Sequence, residues 1–357
     1  MTDVLTVNGG SHSLHLIMVG EDEAAGARLD QSDPPGSDEG TRAVTEFVTA
    51  HDRPVAVGHR LVHGGDLVTR PTLVDDKLRA ELDAVADLAP LHVPPALRLL
   101  DVLRRLLPDV PHVLCPDTAF HAGLSEVART YPLPAAWRRR WGLRRYGFHG
   151  LSYAYAVPRA AQLLDRPVGE LQMVLAHLGG GDSVCAVRNG QSVDTSMGFT
   201  PLDGVPMSTR SGAVDPGMLL WLLDGRLTRA EMEDGLYHHA GLLGLSDDFS
   251  GDTRELVAAG KTFALDVYTH RVRREIAAAA TNLDRLDAVV FTGEIGWDQP
   301  EVRHDICAGL GLLGVRLPVV GNLDHDGPVS PWDAPVPVLV IEPREEVQLA
   351  RDTRSAL

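Results

Sequence analysis

The chain has almost no lysine. Of its 357 residues only Lys77 and Lys261 are lysines, and arginine carries the rest of the basic charge. A phosphate loop of the G-x-x-x-x-G-K-[S/T] type needs a lysine directly after its last glycine, and no such loop occurs. Cysteine is scarce as well. Cys115, Cys185 and Cys307 lie far apart without a C-x-x-C pair, which excludes a disulfide framework and a zinc knuckle. Long apolar runs are missing: nothing approaches the roughly 20 residues of a membrane span. The opening MTDVLTVNGG has neither the basic nor the apolar region of a secretion signal, so the expectation is a cytoplasmic protein. Positive charge is also in deficit. A formal net charge of -16 repels nucleic acid and anionic membrane, though a local group of arginines could still hold a small anion.

What remains is the composition of a globular protein, 44% hydrophobic and 23% charged, long enough for two domains of roughly 100–200 residues each. Apolar strand patterns at Val4–Val7, Ser13–Met18, Pro54–Val62, Val110–Cys115, Met173 onward, Ala288–Thr292 and Val336–Ile341 alternate with helical patterns. The helices are expected near Thr41–Ala50, Asp75–Leu88, Pro94–Leu107, Tyr153–Leu164, Pro216–Leu223, Phe263–Leu283, Pro300–Leu313 and from Glu345 onward. This alternation defines an α/β protein. The acidic, Gly- and Pro-rich segment Glu21–Gly40 reads as an exposed loop. Gly309-Leu-Gly-Leu-Leu-Gly314 fits G-x-G-x-x-G but follows a helix, so it is a helix end and not a dinucleotide fingerprint.

Two glycine turns lie between strands at half-chain separation. Asn8-Gly-Gly-Ser-His-Ser13 aligns on Leu178-Gly-Gly-Gly-Asp-Ser183, which suggests a duplicated domain whose copies each carry a turn able to approach phosphate. Three further segments suit anions. Gly58-His59-Arg60-Leu61-Val62-His63-Gly64-Gly65 places an arginine and two histidines at a strand end. Those histidines, four apart on a strand and without an intervening glutamate, read as structural and not as metal ligands. Arg210 stands among small residues in Met207–Gly212, suited to bidentate contact with carboxylate or phosphate, although a lone arginine there also fits a surface ion pair. His149, between glycines in Tyr146-Gly-Phe-His-Gly150, could steady charge in a transition state.

The strings VGHRLVHGGD, LAPLH, PDTAFHAGL, RRYGFHG, AHLGGGDSVCAVRNGQSVDTSMGFTPLDG, TRSGAVDPG, AGLLGLS and PEVRHDICAGLGLLGV together resemble the acetate kinase family, from about Val4 to Arg354. The resemblance implies a duplicated actin-like fold, that of acetate and sugar kinases, Hsp70 and actin, with two domains around a central cleft. Residues 1–118 plus 344–357 would form the N-terminal domain, and 119–343 the C-terminal domain with the nucleotide. It implies reversible transfer of a phosphoryl group between ATP and acetate or propionate with magnesium, in a homodimer. By position, Arg60 and Arg210 resemble the arginines that hold carboxylate and phosphoryl, and His149 the histidine that stabilises the transition state. His92 and Asp117 match further polar positions. Asn8 matches the first phosphate turn and, with Glu345, the metal. Val62, Leu91, Phe148 and Pro201 match the pocket around the acyl group. His177, Gly179, Gly180 and Gly181 fall on the second phosphate turn. Asp252, Thr253, Arg254, Gly293 and Glu294 fall on the nucleotide.

Several positions depart from the family pattern. His15 stands where the family has lysine, His12 where it has serine, Gly180 where it has asparagine and Val93 where it has a polar residue. Glu294 replaces glycine beside the nucleotide, and Trp297 and Asp298 replace Glu and Asn. The stretch from Met18 to Arg60 is short for the family. These departures leave two alternatives open: a non-nucleotide donor such as diphosphate, or a catalytically weak binding or regulatory homologue. They also predict weakened ATP binding, because Glu294 adds bulk and negative charge and His15 removes a fixed cation.

Overall fold

The structure, a computed structural model, describes residues 3–9, 14–31, 37–90, 92–319, 321 and 324–357. Leu91, His12 and the tip of the first glycine turn lie outside the described residues. The chain divides into two compact units. One comprises Met1–Ala122, Phe148–Tyr155 and Arg344–Leu357, and the other Gly123–Gly147 and Ala156–Pro343.

Each unit is built on a six-stranded sheet. In the first, β1 (Val4–Gly9), β2 (Leu14–Val19), β3 (Ala25–Gln31), β4 (Ala56–Leu61), β5 (Thr72–Leu73) and β6 (His112–Pro116) lie in the order β3-β2-β1-β4-β6-β5. In the second, β7 (Gln172–His177), β8 (Ser183–Arg188), β9 (Gln191–Thr195), β10 (Ala288–Thr292), β11 (Gly327–Pro328) and β12 (Val338–Val340) lie in the order β11-β12-β10-β7-β8-β9. Read from the meander edge, the sheets match strand for strand. Each begins with three antiparallel strands, continues with two parallel ones and ends on a short antiparallel strand. The repeat legible in the two glycine turns therefore extends to the whole sheet order. The turns differ by one residue, since Gly9 pairs with Leu14 but His177 with Ser183.

Parallel strands buried on both faces require apolar residues on both faces. On β1, Leu5 and Val7 pack with Leu99 and Leu103 of the helix Val93–Leu106, while Val4 meets Ala350 of the helix Glu345–Ser355. In the second unit Val174, Ala176, Val289, Phe291 and Val340 pack in one core with Tyr268, Val272 and Ile276 of the helix Thr262–Ala280. No helix among the described residues is long and apolar enough to cross a membrane.

Three expectations from the sequence change. The segment Glu21–Gly40 is not all loop: Ala25–Gln31 pairs with β2 as an edge strand. Its composition misleads because an edge strand faces solvent and carries charge there. The helix expected over Asp75–Leu88 is α-helical for Asp76–Glu81 and tightens to 3₁₀ over Leu82–Leu88. The helix from Pro300 stops at Cys307, and Gly314 further on takes the left-handed conformation with φ 88°.

The helix Glu345–Ser355 returns the C-terminal segment to the first sheet, and Gly58 on β4 is what lets it seat. A β-carbon at Gly58 would come within 2.1 Å of the Thr353 hydroxyl. Thr353 is fully buried and donates to the Leu349 carbonyl at 2.6 Å, so it has little room to turn away. Gly58→Ala is expected to lower the free energy of unfolding by about 1–3 kcal/mol, the usual cost of overpacking. Urea denaturation of the variant beside the wild type measures it, and an unchanged midpoint would show that the helix seats differently.

Candidate active site

Strands β1, β4 and β6 run parallel, so their carboxyl ends share one edge of the first sheet, where open α/β sheets bind ligands. Asn8 is next to last on β1, Arg60 is next to last on β4, and Asp117 follows β6. Asp117 is 1% exposed, and its carboxylate takes Arg60 Nη2 at 2.7 Å and Nε at 3.1 Å to each oxygen. The remaining nitrogen of Arg60, Nη1, donates to Asn8 Oδ1 at 2.9 Å and lies 3.5 Å from Glu345 Oε2. Asn8 Nδ2 in turn donates to Glu345 Oε2 at 3.0 Å. The guanidinium is thus gripped on two edges, in a geometry that lysine could not supply.

Asp117 also builds the turn that carries His149. Its carboxylate accepts the His149 backbone N–H, and its carbonyl accepts the Gly150 N–H at 2.9 Å. The approach is so close that a β-carbon at Gly150 would meet that carbonyl at 2.1 Å. His149 itself sits at φ 60°, in the left-handed region, buried at the start of the helix Gly150–Leu163. Burial pushes the Asp117 carboxyl up and the Arg60 charge opposes that rise. With the guanidinium and the His149 N–H as donors, the pair stands as an ion pair.

The remaining predicted residues of the first unit surround this cluster in the sequence. Val62 and Phe148 are buried, and His63 meets the Phe148 ring edge-on at 5.3 Å. His92 is half-buried where the helix Val93–Leu106 starts, its N–H on the Ala89 carbonyl. His59 Nε2 meets His112 Nδ1 at 2.9 Å, and His63 Nδ1 accepts the Gly65 N–H at 3.0 Å. Burial holds His59 and His112 below the ordinary histidine range, which keeps them neutral. No trio of His, Cys, Asp or Glu among the described residues could hold a metal by itself. His15 points its ring at Asp30, Nδ1 to Oδ1 at 2.5 Å, and Arg28 shares that carboxylate. Arg28 first and His15 second hold Asp30 below the ordinary carboxylate range.

In the second unit the turn after β7 is tied down from three sides. The Leu178 carbonyl accepts the N–H groups of Ile295 and Gly296 at 2.8 and 3.1 Å, and Gly293, at φ 79°, leaves room for it. Gly179 N–H donates to Asp182 Oδ1 at 2.6 Å. Asp182 Oδ2 accepts the Tyr268 hydroxyl at 2.9 Å. Gly179 and Gly180 line a cavity of about 630 Å³ together with Asp252, Thr253, Arg254 and Glu294. Gly181, His177 and Gly293 stand behind it in the chain and do not line it. Asp252 caps the helix Thr253–Ala258 and binds Arg254 Nη2 at 2.7 Å. Glu294 is exposed on the rim, where Arg254 feels its charge.

Arg210 is half-buried in a loop fixed by backbone bonds. Ala240, Leu242 and Leu243 donate to the carbonyls of Thr209, Met207 and Ser208 at 3.0, 2.9 and 2.9 Å. Its Nη1 approaches the Pro201 carbonyl at 3.4 Å. Of the residues proposed from sequence, the structure brings Asn8, Arg60, Asp117, His149 and Glu345 into one cluster. It brings Gly179, Gly180, Asp252, Thr253, Arg254 and Glu294 around one cavity. Glu345, and not its neighbour Glu346, meets Asn8. Asp182, Tyr268, Ser208, Trp297 and Asp298 were not proposed. An acid inside a glycine turn was the available signal for the first.

A clamped arginine beside a histidine turn, on a repeated α/β frame without a lysine phosphate loop, fits a phosphotransferase. The sequence model described as the acetokinase family matches residues 42–351. The acetate kinase of Leifsonia xyli subsp. xyli is 39% identical, with 100% of this chain and 99% of that one covered. The acetate kinase of a Synechococcus species is 43% identical over 84% of this chain and 76% of its own. Among solved structures, a propionate kinase from Francisella tularensis superposes with a TM-score of 0.91 at 28% identity, and Porphyromonas gingivalis acetate kinase with 0.89 at 29%. Both cover 100% of each chain. The chain belongs to the acetokinase family, phosphotransferases that act on a carboxyl group.

Because Asp117 serves Arg60 and the His149 turn at once, its loss leaves a buried guanidinium without its main counter-ion. Asp117→Ala is expected to cost about 3–5 kcal/mol of folding free energy. Chemical denaturation reads this directly, and a loss under about 1 kcal/mol would place the pair with weak surface bridges.

Proposed function

We propose that the chain transfers a phosphoryl group reversibly between ATP and acetate or propionate, giving an acyl phosphate, with magnesium. The observation that carries this reading is the cluster in which Arg60 is held by Asp117, Asn8 and Glu345 beside the His149 turn. Phosphoryl transfer asks for positioning and charge more than for a covalent partner. Arg60 and Arg210 are the cations assigned to the carboxylate and the moving phosphoryl. His149, locked by its backbone to Asp117, is assigned to the charge that grows on the phosphoryl oxygens. His92 is assigned to the same polar shell, and Val62, Leu91, Phe148 and Pro201 to the acyl chain.

Glu345 and Asn8 offer two oxygen donors in one place, a fit for magnesium, which takes one or two protein ligands and fills its shell from phosphates and water. When bound, that ion would neutralise charge on the phosphates. The cavity beside Gly179 and Gly180, at about 630 Å³, has room for a nucleoside, more than diphosphate requires. This favours ATP over the smaller donor. His177, Gly181 and Gly293 are assigned to shaping its phosphate turn, and Asp252, Thr253, Arg254 and Glu294 to its rim. The domain carrying the nucleotide is taken as the second unit. The helix Pro216–Leu223 leaves Leu220 70% and Trp221 57% exposed, an apolar face suited to a second copy in a homodimer. A cytoplasmic setting fits the three free buried cysteines.

Trapping the acyl phosphate with hydroxylamine tests the activity. With Mg-ATP the expected order is acetate and propionate well ahead of acids of five or more carbons. Arg60→Ala and Arg210→Ala should each lower turnover by orders of magnitude, since each removes several kcal/mol of transition-state stabilisation. A folded variant of either kind with near wild-type turnover would remove that assignment. Glu294→Gly should bind Mg-ADP several-fold more tightly in calorimetric titration, by clearing bulk and negative charge from the rim. Equal affinity would mean that the exposed glutamate swings clear.

A further inference from the structure

Asp182 is the most deeply buried acid near the donor cavity, and neither the acyl-group chemistry nor the metal uses it. It is 0% exposed, and both of its oxygens are spoken for by neutral donors, the Gly179 N–H and the Tyr268 hydroxyl. Neither contact cancels its charge. We propose that Asp182 is a positioning residue of the donor-phosphate turn, and that a polyphosphate donor binds with uptake of one proton at this carboxyl. The proposal rests on the assignment of the glycine turn to the donor phosphates.

The turn is shaped by this residue. Asp182 Oδ1 draws the Gly179 N–H inward at 2.6 Å, which leaves Gly180, exposed, at the cavity wall. Tyr268, fully buried on the helix Thr262–Ala280, fixes the other oxygen, so the turn is tied to the core of its unit. The same placement sets a negative charge within the turn that would receive a polyanion. Two negative groups that close, one of them out of water, do not both stay ionised easily, and the buried carboxyl is the one that takes the proton. Burial already pushes the Asp182 carboxyl up to about 7, against the pull of Gly179 N–H, Tyr268 and Arg210. The charged groups that share the cavity with Gly179 and Gly180 are Asp252, Arg254, Glu294, Asp298 and Glu342. Tyr268, itself pushed up by burial, stays neutral. Arg210 adds an attraction between full charges. His177 Nε2 lies 3.8 Å from where a Gly179 β-carbon would be, and Glu294 adds a negative charge at the rim. An arriving phosphate raises the carboxyl further and draws in the proton.

The sign follows from linkage. Above the carboxyl's own value, donor affinity should fall by up to about tenfold per pH unit, because each binding event must take up a proton. Calorimetry of Mg-ADP in two buffers of different ionisation heat, at about pH 8, counts that proton. The wild type should take up close to one proton more per ADP than Asp182→Asn, whose affinity should vary far less with pH. Tyr268→Phe keeps the acid but removes a hydrogen bond to its charged form, so its loss of affinity should start at higher pH. This variant carries the test should Asp182→Asn fail to fold. Equal proton uptake and equal pH dependence in wild type and variants would overturn the proposal while leaving the donor site in place. Absence of Mg-ADP binding by the wild type would overturn the donor assignment and the proposal with it. One readout needs no donor. Relative to the wild type, the urea midpoint of Asp182→Asn should rise from about pH 4 to about pH 7 and level off above, since over that range the unfolded acid has lost its proton while the folded one, pushed up to about 7, still holds it. A parallel course of the two midpoints would overturn the buried ionisation itself.

Discussion

One buried carboxylate, Asp117, holds the first unit's site in shape. It is bonded to the Arg60 guanidinium through three contacts and to the backbone at His149 and Gly150, so one side chain sets both a cation and the turn of a histidine. A buried acid of this kind is tolerable only when its donors are all in place, because the desolvation cost falls on the charged form. Arg60 then reaches Asn8 and Glu345 with its free edge. Those residues come from the end of β1 and from the start of the C-terminal helix, far apart in sequence. That helix can reach them because Gly58 lets Thr353 sit against β4.

The second unit repeats the frame but puts it to another use. The matched sheet orders give each unit a glycine turn after its first strand and parallel strands whose ends share an edge. In the first unit that edge collects arginine, asparagine and acids. In the second it collects glycine backbone and a cavity. The repeated strand order thus carries two different sets of groups, one at each sheet. Neither unit relies on lysine. Arg60 and Arg210 offer planar, fixed forks instead of mobile point charges, at the expense of needing partners to orient them.

Much of this was legible in the sequence, for physical reasons that differ by element. The helix Pro216–Leu223 and the strand Ala288–Thr292 have the residues read for them, since proline at a helix start and a short run of valine, phenylalanine and threonine are local signals. The edge strand Ala25–Gln31 was hidden because its partner, not its composition, makes it a strand. The helix Arg229–His238 was missed although Thr228 and Glu231 form a capping box that the sequence displays. The strand ends bearing Arg60 and the turn at His149 could be found from glycine spacing. That both hang on Asp117 could not, because those contacts join residues 57 and 32 positions apart. Asp182 was less legible still: one acid between glycine and serine does not reveal that it is buried against Tyr268.

In the proposed transfer reaction Arg60 and Asp117 work as one unit, with the acid acting through the arginine and the His149 turn. A double-mutant cycle on kcat/KM for acyl phosphate formation tests it, using Arg60→Ala, Asp117→Asn and the pair. The account predicts strong non-additivity: the double variant should be little worse than Arg60→Ala alone, with a coupling of about 1.5 kcal/mol or more. Losses that simply multiply would show two independent residues and contradict it.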